Sequence, residues 1–144
     1  ADYAVVAVGL SEKQQKALPV GVIGVTRTES VQQLVEYYNM ASVFVNPTYQ
    51  DNFPTTNIEA LACGTPVVTY ETGGSPEAVD PQTGVVVPKG DLKAMASAIA
   101  GVVAAEGVYR EPCRARALKH FNKNTQFSEY VRICEEMSTS KIYN

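Results

Sequence analysis

Five short runs rich in β-branched residues constrain this chain more than any other feature. They fall at residues 3–8 (YAVVAV), 20–25 (VGVIGV), 43–45 (VFV), 67–70 (VVTY) and 85–87 (VVV), bounded by glycine, proline or polar turns. Continuous apolar runs without polar alternation read as strands buried on both faces. Between them lie stretches of helical period. Ser30 and Gln33 have capping-box spacing ahead of Val31, Leu34, Val35 and Tyr38, which recur at i, i+3, i+4 and i+7. Thr56 and Glu59 repeat that box before Ile58, Leu61 and Ala62, which are expected to face inward, and Gly64 and Pro66 stop the helix. Ser75 is expected to cap a turn that begins at Pro76. After Asp91 the pattern stays helical: Leu92, Met95, Ala96, Ile99 and Val103 form one stripe, a second helix covers residues 110–119, and Phe127, Tyr130, Val131, Cys134 and Met137 form the last stripe. Strands alternating with helices across short loops predict an α/β fold with a parallel sheet.

The 144 residues, 45% of them hydrophobic and 19% charged, suit one domain with a sizeable core. Twelve Lys and Arg against fifteen Asp and Glu give a net charge of -3, which argues against nucleic acid as a partner. No apolar run is long enough to span a bilayer, and no signal peptide is recognisable. Cys63, Cys113 and Cys134 show neither CxxC nor Cys/His metal spacing, so a disulfide scaffold and a zinc module are excluded and a reducing, cytoplasmic setting is expected. The chain opens directly on a strand, from which a fragment of a larger protein is expected.

The chemistry concentrates in residues 50–77, QDNFPTTNIEALACGTPVVTYETGGSPE. A polar loop beyond a strand's carboxyl end leads into a helix N-terminus, where free N–H groups and the helix dipole favour an anion. Thr55 and Thr56 add hydroxyls. Asp51 and Glu59, eight residues apart, can accept hydrogen bonds from the hydroxyls of a sugar or polyol. Competing structural roles are a turn for Asp51, the capping box for Glu59, turn chemistry for Gly73 and Gly74, and a core position for Cys63. Arg27 follows the second strand and stands between a ligand contact and a surface ion pair. Arg110, Arg114, Arg116, Lys119, His120 and Lys123 form a loose basic run, read as a solvated helix face or a weak membrane-surface or acidic-partner patch. No metal site is expected.

These residues resemble the C-terminal donor-binding domain of a GT-B-fold retaining glycosyltransferase of family 4 (glycosyltransferase group 1). The resemblance rests on Asp51, then Asn52-Phe53-Pro54, Glu59, Ala62-Cys63-Gly64-Thr65-Pro66-Val67-Val68, and Gly73-Gly74-Ser75-Pro76-Glu77, in order. It extends loosely over residues 3–105. It implies a Rossmann-like three-layer α/β/α parallel sheet lacking its first βα unit, with residues 1–144 a single partial domain and 109–144 its C-terminal helices. Glu59 would bind the ribose hydroxyls of a UDP-, GDP- or ADP-sugar, with no cofactor and no metal. Asp51 would act on the donor sugar and stabilise charge at its anomeric carbon. Asn52 and Phe53 would line the sugar pocket, Thr55 and Thr56 would meet the diphosphate, and Arg27 and Thr28 would lie near the nucleobase. Asp51 and Asn52 depart from the family's usual glutamate and glycine. The Arg and Lys that hold the diphosphate in the family would precede Ala1, as would an N-terminal domain binding a glycan or lipid-linked acceptor. The implied parent works in the cytoplasm, with peripheral contact at the inner membrane face, and the isolated chain is expected to turn over little. Two alternatives stand beside this: a nucleotide-sugar epimerase of the same fold, and a non-catalytic nucleotide- or partner-binding module, which the final amphipathic helix favours.

Overall fold

All five strands form, the first two with trimmed starts and the others within a residue of expectation, in a computed structural model that describes residues 3–105 and 107–140. In chain order these are β1 (Val5–Val8), α1 (Glu12–Lys16), β2 (Val22–Val25), α2 (Val31–Met40), β3 (Phe44–Asn46), α3 (Thr55–Ala62), β4 (Val67–Tyr70), a one-turn 3-10 helix (Ser75–Ala78), β5 (Gly84–Val87), α4 (Leu92–Ala104), α5 (Arg110–His120) and α6 (Lys123–Ser140). Every strand pair is parallel, as the alternation of strands and helices requires. The chain divides into two units, Ala1–Tyr37 and Tyr38–Asn144, the boundary falling within α2.

In the first unit β1 pairs with β2 from Val5↔Val22 to Val8↔Val25. The connecting helix α1 is absent from the sequence expectation, although its capping box is written in Ser11 and Gln14. Gln14 N–H donates to Ser11 Oγ at 3.3 Å and Ser11 N–H to Gln14 Oε1 at 2.9 Å. Gln15 Nε2 then donates to the Gly24 carbonyl at 2.9 Å, tying α1 to β2. A Cβ at Gly24 would run into the Leu18 side chain, so glycine permits this approach. The expectation that these strands are buried is corrected: Val5 is 54% exposed and Ile23 55%. A two-stranded sheet with one five-residue helix, itself without a buried residue, supplies too little cover within this unit. At the start of α2, Gln33 N–H donates to Ser30 Oγ at 3.1 Å. The return bond goes from Glu29 N–H to Gln33 Oε1 at 2.7 Å, one residue earlier than a capping box places it.

The second unit is a three-stranded sheet in the order β3-β4-β5. β4 is buried along its whole length, as a central parallel strand must be. Val68 and Tyr70 face one side, where they pack with Val87 and with Met95 and Val102 of α4. Val67 and Thr69 face the other side, towards α3 and α5, which bury Ala60, Leu61, Cys113 and Ala117. The result is a layered Rossmann-like α/β arrangement. Asp91 caps α4 as expected, its Oδ1 accepting from Ala94 N–H at 2.9 Å. Gly64 ends α3 at φ +81°, with its N–H on the Leu61 carbonyl at 2.9 Å. The apolar stripe of α6 forms on schedule, but Phe127, Tyr130 and Val131 are exposed.

Burial pushes the Cys113 thiol up to about 12, the Asp80 carboxylate adding to the effect. The thiolate is the reactive form, so Cys113 stays inert near pH 8 while the exposed Cys134 alkylates. Brief iodoacetamide treatment followed by peptide mass spectrometry should find Cys134 modified and Cys113 labelled only after denaturation. The sign for stability follows from the same shift. The folded chain holds this proton between the ordinary thiol value of 9.0 and about 12, so this contribution is full below that window and declines as pH rises through it.

Candidate functional site

The carboxyl ends of β3 and β4 release two loops, residues 47–54 leading into α3 and residues 71–74 leading into the 3-10 helix. Beneath them lies a closed ring of hydrogen bonds. Asn46 Nδ2 donates to Asn57 Oδ1 at 2.9 Å, and Asn57 Nδ2 donates to Ser75 Oγ at 2.9 Å. Thr69 Oγ1 lies 2.6 Å from Ser75 Oγ and 2.9 Å from the Asn46 carbonyl oxygen. A carbonyl only accepts, so the Thr69 hydroxyl proton belongs to it, and Ser75 therefore donates to Thr69. The ring thus starts at the Asn46 side chain and ends at the Asn46 backbone with every proton assigned. Asn57 and Ser75 are fully buried. Ser75 is therefore not the cap expected from the sequence: Gly74 occupies that position, and the serine hydroxyl is spent inward.

Above the ring the two loops touch. Gly74 N–H donates to the Asn52 carbonyl at 2.9 Å, and Thr72 Oγ1 donates to the Thr48 carbonyl at 2.9 Å. Gly73 sits at φ +50°, and a Cβ there would overlap the Asp51 carbonyl oxygen; one at Gly74 would overlap that of Asn52. Glycine is required at both positions because backbone meets backbone. Asp51 closes an Asx turn, its Oδ1 accepting from Phe53 N–H at 3.1 Å. The turn role and a ligand role coexist, since Oδ2 makes no hydrogen bond among the described residues. Asp51 is half-buried, while Asn52 and Phe53 lie at the surface.

Thr55 and Thr56 open α3 and are exposed. Pro54 is the N-cap and provides no side-chain cap; Asn57 N–H donates back to the Pro54 carbonyl at 3.2 Å, which leaves the N–H groups of Thr55 and Thr56 to an outside acceptor. The expected Thr56–Glu59 capping box does not form, because Thr56 lies one residue inside the helix rather than at its cap. Glu59 Oε2 instead accepts from Tyr38 Oη at 3.0 Å. Burial, with the neighbouring carboxylate adding to it, raises the Tyr38 phenol above its ordinary value, so it remains a proton donor. Thr55 and Glu59 stand at i and i+4 and share the exposed face of α3. The inward face is Asn57, Ala60 and Leu61, with Ile58 half-buried and Ala62 exposed, a correction to the expected inward set.

Arg27 and Thr28 follow the carboxyl end of β2 in the first unit. Arg27 is exposed and makes no ion pair among the described residues. The basic run of α5 is not uniformly solvated. Arg116 donates to the carbonyls of Ala78 at 2.7 Å and Glu77 at 2.9 Å and pairs with Asp80 at 2.7 Å, clamping the end of the 3-10 helix. Sequence reasoning missed three residues here: Tyr38, Asn57 and Arg116. Only Asn57 left a local signal, lying three and four residues before Ala60 and Leu61 on the buried face of its helix. A concavity of about 460 Å³ lies beside β5, lined by Val79, Asp80, Val85 and Tyr109. Its one charged member, Asp80, is already paired with Arg116, and none of the candidate ligand-binding residues lines it. No group of three or more His, Cys, Asp or Glu that could hold a metal occurs among the described residues.

Parallel strands flanked by helices, with loops gathered at the strands' carboxyl ends, define the class of Rossmann-like α/β folds. Within that class, the chain superposes on GT-B glycosyltransferase structures. Sucrose-phosphate synthase from Thermosynechococcus elongatus matches with a TM-score of 0.80 at 27% identity, over 95% of this chain and 39% of that one. TarM matches with a TM-score of 0.68 at 16% identity, over 83% of this chain and 25% of that one, and shows the fold alone. Residues 2–105 match the family described as Glycosyl transferases group 1, and the chain belongs to that family. A D-inositol 3-phosphate glycosyltransferase of Saccharomonospora viridis is 40% identical over 90 residues, 60% of this chain and 21% of that protein. The capsular polysaccharide biosynthesis glycosyltransferase CapM of Staphylococcus aureus is 42% identical over 66 residues, 45% of this chain and 17% of that protein. The chain thus spans about a fifth of the length of these curated relatives.

Replacing Asn57 by Ala leaves the Asn46 amide and the Ser75 hydroxyl without their buried partner, and should cost about 2 to 4 kcal/mol of unfolding free energy in a denaturant melt. Gly73→Ala should displace residues 51–53 and lower the melting temperature, whereas Thr56→Ala, at an exposed position without a capping bond, should leave it within about 1 °C.

Proposed function

We propose that this chain is the donor-binding part of a retaining glycosyltransferase that moves a sugar from a nucleoside-diphosphate sugar to a glycan or lipid-linked acceptor. The observation that carries this reading is the meeting of the Asp51 loop, the uncapped start of α3 and the Gly73–Gly74 turn at the carboxyl ends of β3 and β4, in a member of this family. The donor N–H groups of α3, with Thr55 and Thr56, take the diphosphate. The Glu59 carboxylate, exposed one turn further on, accepts from the ribose hydroxyls. Asn52 and Phe53 line the sugar pocket. Asp51 holds sugar hydroxyls through its free oxygen and stabilises the positive charge that develops at the anomeric carbon as the diphosphate leaves. Arg27 and Thr28 are assigned to the nucleobase by the family resemblance.

In this reading residues 1–144 are one partial nucleotide-sugar-binding domain, with residues 109–144 as its C-terminal helices. The acceptor is held by a further domain, and neither metal nor cofactor takes part. The UDP-, GDP- or ADP-sugar is a substrate, and nucleic acid is not a partner. The glycan acceptor is supported by a relative named for capsular polysaccharide biosynthesis. The parent is assigned to the cytoplasm, with peripheral contact at the membrane; no helix among the described residues is long and apolar enough to cross one.

The test is an amide-resolved NMR titration of the chain with UDP, GDP and ADP at millimolar concentration, where a binding free energy of only about 4 kcal/mol is still detected. Shifts should cluster at residues 52–59 and around Arg27. Glu59→Ala should weaken the best nucleotide about tenfold or more. Unchanged affinity in that variant would remove Glu59 from the site. In the full-length parent, Asp51→Asn should lower kcat about 100- to 1000-fold with a smaller change in KM.

A further inference from the structure

Glu59 is exposed, and a free glutamate side chain on a helix surface samples several rotamers, all but one of which are lost when a ligand is gripped. Here one of its oxygens is already held. Tyr38 lies at the far end of α2, 21 residues earlier in the chain, and its hydroxyl donates to Glu59 Oε2 at 3.0 Å. The tyrosine is itself fixed. Its ring is 7% exposed and packs edge-on against Phe44, centroids 5.4 Å apart at 74°. Its backbone carbonyl accepts from Thr65 Oγ1 at 2.6 Å, just past the end of α3. The donor is therefore anchored to β3 and to the segment between α3 and β4, and it points at a group on the solvent side of α3.

We propose that Tyr38 is a positioning residue, whose hydroxyl fixes the Glu59 carboxylate in the orientation that receives the ribose hydroxyls of the nucleotide. This rests on the reading of Glu59 given above. A carboxylate offers about four acceptor sites. Tyr38 occupies one of them on Oε2, while Oε1 makes no hydrogen bond among the described residues, which leaves its acceptors for the vicinal diol of a ribose. The phenol neither donates to nor accepts from anything else, so its hydroxyl has no other task among the described residues.

The experiment compares the chain with its Tyr38→Phe, Glu59→Ala and Glu59→Asp variants, and with Tyr38→Phe combined with Glu59→Ala. Each is titrated by NMR with UDP, GDP and ADP and with the 2′,3′-dideoxy forms of the same nucleotides. Tyr38→Phe keeps the ring against Phe44 and should weaken the ribonucleotides about three- to tenfold while leaving the dideoxy forms unchanged. That loss should vanish in the Glu59→Ala background. Glu59→Asp alters only an exposed position, draws the carboxylate back by one methylene, and should reproduce the loss of ribose preference even if Tyr38→Phe proves unstable.

Equal losses for ribose and dideoxy forms, or a Tyr38 effect that persists without Glu59, would assign Tyr38 to the fold alone and overturn the inference. So would a Glu59→Asp variant that keeps its full preference for the ribonucleotide. If Glu59→Ala abolishes that preference while Tyr38→Phe does not, the positioning role fails and the ribose reading survives. If Glu59→Ala changes nothing, the ribose reading itself fails, and this inference falls with it.

Discussion

The closed ring through Asn46, Asn57, Ser75 and Thr69 is the constraint on which the upper part of the second unit depends. It joins the ends of β3 and β4, which already face each other there at Asn46 and Thr69, to the first turn of α3 and the start of the 3-10 helix, which no strand ladder ties to them. Each member donates one proton and accepts one, so each bond polarises the next, and no buried side-chain polar atom among the described residues is left without a partner. An apolar cluster of equal volume would fill the space but would not specify which loop lies over which. The ring carries no charge, so it avoids the desolvation penalty of a buried ion pair. Above it, the exposed Thr55 and Thr56 keep their backbone donors unspent, and the half-buried Asp51 keeps one carboxylate oxygen without a hydrogen bond among the described residues. The direction of polarity is what makes the arrangement useful: hydrogen bonds satisfied inward, acceptors and donors unspent outward.

The strands and most helices were legible in the sequence because their signals are local. A run such as VVTY, the glycine after Ala62-Cys63 and the aspartate before α4 each declare a boundary within a few residues. The meeting of Asp51 and Gly73 is legible too, since the resemblance that links them is linear in the chain. What escaped is long-range and polar. Glu59 with Thr56 has the spacing of a capping box, but its partner is a tyrosine on another helix, and spacing holds no information about that. Arg116 looked like one member of a solvated basic face; its partners lie 36 to 39 residues earlier. Asn57 escapes a local reading because asparagine in a helix usually faces water, and only the ring makes its burial favourable.

The two units show why an apolar run gives the character of a strand but not its surroundings. The run VVTY in β4 and VVAV in β1 are nearly interchangeable as patterns, yet β4 is buried throughout and three of the four β1 residues are exposed. The difference comes from what packs against them. β4 has strands on both edges and helices on both faces, whereas β1 has one strand and a helix with nothing buried. The same holds for α6, where the stripe is real and Arg132 pairs with Glu129 and Glu136 on the polar side, while the apolar side collects little burial. Periodicity reports which surface is apolar, and burial is a property of the neighbour.

The rotational setting of α3 decides what its open face presents. Successive residues of a helix turn by 100°, so a slip of one residue would carry Glu59 a quarter-turn or more off its face. Three fixtures prevent that slip: Asn57 is locked into the ring, Leu61 is fully buried, and Gly64 ends the helix in a left-handed conformation with Arg110 packed against it. None of the three faces the open side. With the buried face set, Thr55 and Glu59 can only point outward, and Tyr38 then selects among the rotamers left to the glutamate. The position of the candidate ligand-binding carboxylate is therefore inherited from the core packing of its own helix. Substitutions that rotate or fray α3 from its buried side should consequently damage the open face even where they touch no exposed residue.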